Sequence, residues 1–161
     1  MPAETNNFLK LLQHPFKFRL FLFSQLPSAF FSGVRVKSIS QSTAVVTVPY
    51  KWFTQNPFKS TYFACLAMAA EMSTGLLAML NTYKSKPPIS MLVVSLEALY
   101  YKKASGLTLF TCNDGAAIAA AIEHALATGV GQEIKVKSTG KNSEGVLVAE
   151  FFITWSFKHK S

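Results

Sequence analysis

The chain has 161 residues, of which 50% are hydrophobic and 13% aromatic, so it has the size of one domain with a sizeable core and extended disorder is excluded. Sixteen Lys and Arg against eight acids give a formal net charge of +8, which suits nucleic acid, anionic lipid or a phosphate-bearing small molecule. The cations are scattered, however, and a basic solvated surface is the simpler interpretation. Two isolated cysteines, Cys65 and Cys112, and three isolated histidines exclude a zinc site and a Cys/His nucleophile, and no metal or cofactor is expected.

The N-terminal segment, residues 1–27, is predicted to be helical. Apolar residues recur at three- and four-residue spacings between residues 6 and 25, which predicts one buried stripe, and Pro15 is expected to kink or divide the helix. The stripe consists of Phe8, Leu9, Leu12, Phe16, Leu20 and Phe23. The apolar run Leu20–Phe23 is too short for the core of a signal peptide, so a cytoplasmic protein is expected. Pro27 and Gly33 are expected to bracket a turn.

Six segments have the alternation or β-branched composition of strands, and one further helix lies between the later ones. Asp114 is predicted to cap that small helix, whose apolar stripe is Ile118, Ala121, Ile122, Ala125 and Leu126. Long strands joined by short turns indicate one strongly curved antiparallel sheet. The predicted strands are 34–37, 43–48, 89–101, 107–112, 133–137 and 146–157, with a loop at 49–57 and the small helix at 114–128.

The longest apolar stretch, YFACLAMAAEMSTGLLAML, runs from Tyr62 to Leu80 and carries one charge, Glu71, at its centre. Nineteen helical residues rise roughly 28 Å, nearly the thickness of a bilayer core. A carboxylate at the middle of a span costs about 2.5 to 3.5 kcal/mol or more, and the rest of the chain would lack a core without this segment. The sequence therefore predicts a buried central helix, residues 61–83, rather than a membrane span.

Glu71 on that helix must be paired, protonated or exposed in a cleft. Gly75 lies one turn further on and removes a side chain beside the carboxylate, which leaves room for a ligand or for a close backbone. A purely structural alternative stays open: a salt bridge to a lysine of a strand, or a buried polar network. Ser73 and Thr74 are expected to bond their own helix backbone.

The segment NPFKSTYFACLAMAAE, from Asn56 to Glu71, resembles the active-site segment of hotdog-fold acyl-thioester hydrolases, in the phenylacetate-pathway branch. In that branch an Asn precedes a short His-Gly-Gly element, and an acid follows the His by nine positions. Tyr62 stands here in the position of the His, and Phe63 and Ala64 in those of the two glycines. The small helix and the closing WSFKHK are similar to an uncharacterised thioesterase-like subfamily, DUF4442.

This resemblance implies an α+β hotdog fold over residues 1–161, in which a curved antiparallel sheet of about six strands wraps one long central helix. An extra N-terminal helix and a small helix between later strands complete it. The resemblance also implies a homodimer or a dimer of dimers, with sheets joined edge to edge and sites shared between subunits. The long strand 89–101 is the candidate edge, because an unpaired apolar edge is a liability for a monomer.

The implied activity is hydrolysis of an acyl thioester such as an acyl-CoA, with coenzyme A as part of the substrate and no other cofactor. Glu71 would act as general base or as nucleophile, and the backbone N–H groups of Phe63 and Ala64 would bind the oxyanion. Asn56 would orient the water or the thioester carbonyl, Tyr62 would donate a hydrogen bond, and Gly75 would leave space for substrate. Candidate contacts for the phosphates are Lys102, Lys103, Lys135 and Lys137.

Two other function classes stay open. Phe63 in place of a glycine narrows the approach to the helix start, which favours a non-catalytic acyl- or lipid-binding protein. Nucleic-acid binding rests only on net charge and aromatic content. The acyl chain and the carrier are beyond the sequence.

Overall fold

The computed structural model describes residues 3–159, and side chains from Asn7 onward. The first two residues of the predicted N-terminal segment and Lys160 of the closing motif lie outside this range. The helices are α1 (Ala3–Gln13), α2 (Pro15–Gln25), α3 (Pro27–Ser32), α4 (Phe63–Thr82) and α5 (Gly115–Thr128). The strands are β1 (Arg35–Ile39), β2 (Ala44–Val48), β3 (Ile89–Tyr100), β4 (Thr108–Cys112), β5 (Gln132–Asn142) and β6 (Leu147–His159), and a 3-10 turn at Trp52–Thr54 interrupts the loop before α4.

The six strands form one antiparallel sheet in the order β1-β2-β4-β5-β6-β3. All six predicted strands are confirmed, with ends that differ by a few residues. Within residues 3–159, β3 pairs only with β6, from Ile89 opposite His159 to Tyr100 opposite Ala149, so its other edge has no strand beside it there. β3 is therefore an edge strand, and its role in joining two sheets stays a prediction.

α4 is the central helix, and the sheet covers it. Twelve of its residues are buried, and the inward side chains of β6, including Phe151, Ile153 and Phe157, belong to the same core. The helix is long and apolar enough to cross a membrane, since its most apolar 18 residues have a mean hydropathy of 1.7. However, 67% of these 18 residues are buried inside the protein. α4 is thus the core helix of the domain, as predicted.

Two buried hydrogen bonds attach α4 to the sheet. Ser73 Oγ and Ser138 Oγ are 2.7 Å apart, and Trp155 Nε1 donates to Thr74 Oγ1 at 2.9 Å. Ser73 and Thr74 also donate to the carbonyls three residues earlier, Ala70 and Glu71, as predicted. The sheet therefore fixes the rotation of the helix at the turn that carries Glu71.

Replacing Trp155 by Phe is expected to lower the free energy of unfolding by about 1 to 3 kcal/mol, because the bond to Thr74 and part of the buried ring are lost. Urea denaturation measures the change. Trp52→Phe is the matched control, since Trp52 is exposed and its replacement is expected to stay within about 0.5 kcal/mol of wild type. Equal stability of the two variants would show that the bond to Thr74 contributes nothing.

The N-terminal segment is divided at Pro15, as predicted, but the predicted stripe is only half right. Phe8 and Leu12 of α1 are buried, whereas Phe16, Leu20 and Phe23 of α2 are 74%, 61% and 53% exposed. The buried side of α2 instead carries Phe18 and Leu22. The break at Pro15 starts a new helix with its own rotation, so the periodicity of α1 does not continue into α2.

Two local predictions are wrong. The segment bracketed by Pro27 and Gly33 is not a turn but the short helix α3, which has Pro at its first position and ends at Gly33 with φ +76°. Asp114 occupies the N-cap position of α5 without capping it, because its Oδ2 accepts a hydrogen bond from the backbone N–H of Lys137 on β5. The stripe of α5 is confirmed, with Ile118, Ile122 and Ala125 buried.

Candidate active site

A cavity of about 590 Å³ opens at the start of α4. The loop before the helix forms one wall, and the end of β3 with the residues that follow it forms the other. Its lining consists mainly of apolar and aromatic side chains with two lysines at one side. The lining residues are Asn56, Pro57, Phe58, Ser60, Thr61, Tyr62, Phe63, Leu66, Tyr100, Tyr101, Lys102, Lys103 and Ala104.

The first turn of α4 has two unused backbone donors. The N–H groups of Phe63 and Ala64 have no acceptor among residues 3–159, whereas the N–H of Cys65 already bonds the carbonyl of Tyr62 at 2.9 Å. Tyr62 is the N-cap residue, and its side chain does not cap the helix. Unpaired N–H groups at a helix start, together with the helix dipole, favour negative charge at this point.

The chain before α4 is held by backbone bonds. The N–H and the hydroxyl of Thr61 both donate to the carbonyl of Ala104, and the N–H of Tyr62 donates to the carbonyl of Thr54 at 2.7 Å. The rings of Tyr62 and Phe63 are half-exposed and meet edge to face, with centroids 4.8 Å apart. Both side chains line the cavity, and the Tyr62 hydroxyl has no hydrogen-bond partner in the described chain.

Asn56 organises its own loop. Its Oδ1 accepts from the N–H of Phe58 at 3.0 Å and from the N–H and hydroxyl of Ser60 at 3.2 and 3.1 Å. The amide oxygen is therefore committed, and only the NH₂ group is left to meet a ligand. Both roles expected for Asn56 therefore fall to this NH₂ group, which can donate to a water oxygen or to a carbonyl oxygen.

The four candidate lysines separate into two pairs. Lys102 and Lys103 line the cavity at the start of α4, and Lys103 Nζ donates to the carbonyl of Phe58 at 3.3 Å. Lys135 and Lys137 form ion pairs with Glu97, at 2.8 Å, and Glu150. Only the first pair is placed to meet an anion in this cavity.

Glu71 lies in a second, smaller cavity of about 160 Å³. Met68 and Met72 flank it on the helix, and the α2–α3 junction, residues 25–29, covers it. The alternative left open by the sequence, a salt bridge to a strand lysine, is absent from residues 3–159, where the carboxylate has neither an ion pair nor a hydrogen-bond donor. Burial raises the pKa of Glu71 above its ordinary value of 4.5.

Gly75 makes room for the Glu71 carboxylate itself. A Cβ at Gly75 would lie 2.9 Å from Glu71 Oε1 and 3.2 Å from Cζ2 of Trp155. The space that the sequence assigned to a ligand is therefore occupied by the carboxylate and the indole ring. Gly75 lets the carboxylate fold back over the helix, in a position that any larger residue would disturb.

We expect the stability of the protein to fall as pH rises through the titration of Glu71. A carboxyl whose pKa is higher in the folded state than in the unfolded chain binds more protons when the chain is folded. The free-energy cost of burying its charged form is therefore absent below about pH 4.5 and complete above the raised pKa. Glu71→Gln is expected to remove this cost and to be more stable than wild type at pH 7. Urea denaturation across pH measures the difference, and an advantage that does not shrink toward low pH would contradict it.

Within one chain the two cavities do not form a single site. Asn56, Tyr62 and Phe63 line the first, and Glu71 lines the second. Glu71 lies eight positions after Phe63, a rise of about 12 Å along the helix axis. One carbonyl group cannot contact the start of α4 and the carboxylate of the same helix.

The sequence matches the family described as "Domain of unknown function (DUF4442)" over residues 19–157. The chain belongs to the DUF4442 family. A search of curated proteins finds no match.

The fold is shared with solved structures of low sequence identity. A Chlorobaculum tepidum protein of unknown function superposes with a TM-score of 0.75 at 18% identity, covering 91% of this chain and 97% of its own. A Pseudomonas aeruginosa protein described as a probable thioesterase gives 0.74 at 18% identity, with 99% of each chain covered. A Haemophilus influenzae thioesterase gives 0.62 at 10% identity, covering 87% of this chain and 88% of its own. These likenesses and the sheet around α4 show that this DUF4442 domain has the hotdog fold.

Sequence reasoning missed two parts of the Glu71 surroundings. The turn predicted between Pro27 and Gly33 gives no reason to expect Leu26, Pro27 and Ser28 beside Glu71. The sequence indicates the contact with Trp155 only weakly, through a large aromatic residue at an inward position of a strand. Which residues of α4 the Trp155 ring contacts depends on how β6 is placed against the helix.

Proposed function

We propose that this DUF4442 protein hydrolyses acyl thioesters at a site formed by two copies of the chain. The observation that carries the proposal is the pair of unused N–H donors, of Phe63 and Ala64, at the start of a 20-residue helix beside an open cavity. Donors preorganised at such a point stabilise the oxyanion that forms when a thioester carbonyl is attacked. The thioesterase names of the Pseudomonas and Haemophilus proteins of the same fold support this reaction class.

The second copy is needed because of distance and is favoured by the sheet edge. The start of α4 and Glu71 of one chain are too far apart for one substrate, so the carboxylate has to come from the partner. Pairing β3 with a second β3 about a two-fold axis would reverse the second α4, and the start of one helix would then lie beside the middle of the other. β3 carries exposed apolar side chains suited to such burial: Leu92, Val94, Leu96, Leu99 and Tyr100.

In the proposed reaction the thioester carbonyl oxygen accepts hydrogen bonds from the N–H groups of Phe63 and Ala64. Glu71 of the other copy removes a proton from a water whose oxygen attacks the carbonyl carbon. The C–S bond then breaks, the leaving thiolate takes the proton that Glu71 removed from water, and the acyl group is released as a carboxylic acid. Nucleophilic attack by Glu71 through a mixed anhydride is the alternative course. The raised pKa of Glu71 makes it a stronger base than an exposed carboxylate.

The cavity favours an acyl-CoA as the substrate. Lys102 and Lys103 supply positive charge for phosphates, while Phe58, Tyr62 and Phe63 offer apolar surface for the acyl or pantetheine part. The NH₂ group of Asn56 and the Tyr62 hydroxyl are the remaining polar groups that can fix the orientation. A cytoplasmic location is part of this proposal.

A non-catalytic acyl-binding protein is the second candidate. The observation that favours it is the position of the α2–α3 junction, which lines the smaller cavity and narrows the approach of water and substrate to the carboxylate. Such a protein would retain an acyl ligand without turnover.

The test is thiol release from acyl-CoAs of graded chain length by the purified wild-type protein, by Glu71→Gln and by Glu133→Gln. Glu133 is an exposed carboxylate on β5 and serves as the matched control. Turnover by wild type and Glu133→Gln alone supports hydrolysis, and the best substrate names the acyl class. A wild-type protein without turnover that co-purifies with an acyl ligand would reject hydrolysis in favour of binding.

A further inference from the structure

α2 presents an apolar face to solvent. Phe16, Leu20 and Phe23 are spaced four and three residues apart, so they lie on one side of the helix, and all three are exposed. The opposite side is also apolar, with Phe18 and Leu22 in the core. A helix with apolar residues on opposite sides is usually buried on both sides, and this one is buried on one side only.

The exposed face continues onto neighbouring elements through contacts between rings. The Phe23 and Phe31 centroids are 6.3 Å apart, and those of Phe31 and Phe53 are 6.1 Å apart. Phe53 in turn meets Trp52, whose side chain is 81% exposed. We call this surface the aromatic face; it consists of Phe16, Leu20, Phe23, Phe31, Trp52 and Phe53. A contiguous apolar surface of this kind marks a place where something else binds.

The chain segment that carries the aromatic face has charge of one sign. Residues 5–70 contain seven Lys and Arg and no Asp or Glu before Glu71. None of the seven forms an ion pair within residues 3–159, and Lys17 and Lys51 directly follow or precede members of the face. The seven are Lys10, Lys17, Arg19, Arg35, Lys37, Lys51 and Lys59. Exposed cations such as Lys17 and Lys51, beside exposed aromatics, are complementary to a surface that is negatively charged outside and apolar within.

We propose that the aromatic face binds the surface of an anionic lipid bilayer, with the rings at the headgroup level and the flanking cations on lipid phosphates. Aromatic side chains, Trp above all, favour this interface, and basic residues add attraction to anionic lipids. A second copy of the chain is a poorer occupant, because it would bring the same positive charge against itself. Nucleic acid is poorer too, since the Phe and Leu face of α2 offers it no polar partner. This proposal is independent of the proposed hydrolysis.

Trp fluorescence gives a direct test because the chain has only two tryptophans, Trp52 at the surface and Trp155 buried in the core. Vesicles of phosphatidylcholine mixed with phosphatidylglycerol are expected to shift the emission to shorter wavelength and to sediment with the protein. Vesicles of phosphatidylcholine alone are expected to bind more weakly, and salt to weaken binding to the anionic vesicles. No shift and no co-sedimentation with anionic vesicles would overturn the proposal.

Variants separate the contribution of the rings from that of the charge. Phe23→Ser combined with Phe31→Ser is expected to lower the partition coefficient by about a hundredfold, and Lys17→Gln by about fivefold on anionic vesicles only. Val130→Ser, at an exposed apolar residue after α5, is the matched control and should bind as wild type. Trp52→Ser, followed by co-sedimentation, repeats the test at the most exposed ring should the double variant misfold.

Two other outcomes would also overturn it. If the variants at Phe23, Phe31 or Trp52 change the oligomeric state in gel filtration, and the wild-type protein does not bind vesicles, the aromatic face is an interface between copies. If the Trp52 emission shifts with a single-stranded oligonucleotide and not with vesicles, the partner is nucleic acid.

Discussion

Glu71→Gln is expected to lower the rate of acyl-CoA hydrolysis by about 10²- to 10⁴-fold, the usual contribution of a positioned general base. The amide fills nearly the same volume beside Gly75 and Trp155 but cannot accept a proton from water. Because burial makes the charged carboxylate costly, the variant should be more stable than wild type at pH 7. Thiol release and urea denaturation on the same preparations measure both effects.

The pH dependence of the wild-type rate sharpens this prediction. Hydrolysis is expected to rise with pH as Glu71 loses its proton, with the midpoint of the acid limb above the ordinary carboxyl value of 4.5. Glu133→Gln, an exposed carboxylate changed in the same way, should keep the wild-type rate and pH profile. Hydrolysis that persists in Glu71→Gln with an unchanged acid limb would exclude this carboxylate from the chemistry.

Phe63→Pro is expected to reduce hydrolysis by about 10²- to 10³-fold, the usual cost of losing one oxyanion donor. Proline removes the N–H of residue 63 and fits the first position of α4. Tyr62, which precedes it, has φ −60° and ψ 134°, a conformation that a following proline accepts. The backbone should therefore stay in place while one donor is lost.

Phe63→Ala is the matched control because it removes the same ring and keeps the N–H. It is expected to retain hydrolysis, or to raise it where the ring obstructs the cavity. Equal loss of activity in both variants would assign the effect to the side chain and contradict the oxyanion role.

Mixing the two inactive variants tests the shared site. If each site takes its oxyanion donors from one chain and Glu71 from the other, a heterodimer of Glu71→Gln and Phe63→Pro contains one intact site. Co-expression or refolding of the mixture is then expected to restore about a quarter of wild-type hydrolysis, because half of the dimers are mixed and each has one of two sites. A mixture as inactive as its components would contradict a site shared in this way.

The composition and local periodicity of the sequence determined most of the fold. Alternating or β-branched residues placed all six strands, and the apolar stretch around Glu71 identified the central helix. Prediction failed where the signal was weakest in physical terms. In α2 both sides are apolar, so periodicity could not tell which side is buried, and the six residues of α3 are too few to show a period.

The sequence by itself also determined which groups could do chemistry: a single acid in an apolar helix, and a segment at the helix start that resembles a thioesterase motif. Only the tertiary structure decided how these groups stand to one another. In the tertiary structure these groups line two separate cavities, and the N–H groups of Phe63 and Ala64 have no acceptor among residues 3–159. Trp155 from β6 occupies the space beside Gly75. The physical reason is that backbone periodicity is a local property of the chain, whereas burial, solvation of a carboxylate and distances between elements depend on strands that are far apart in sequence.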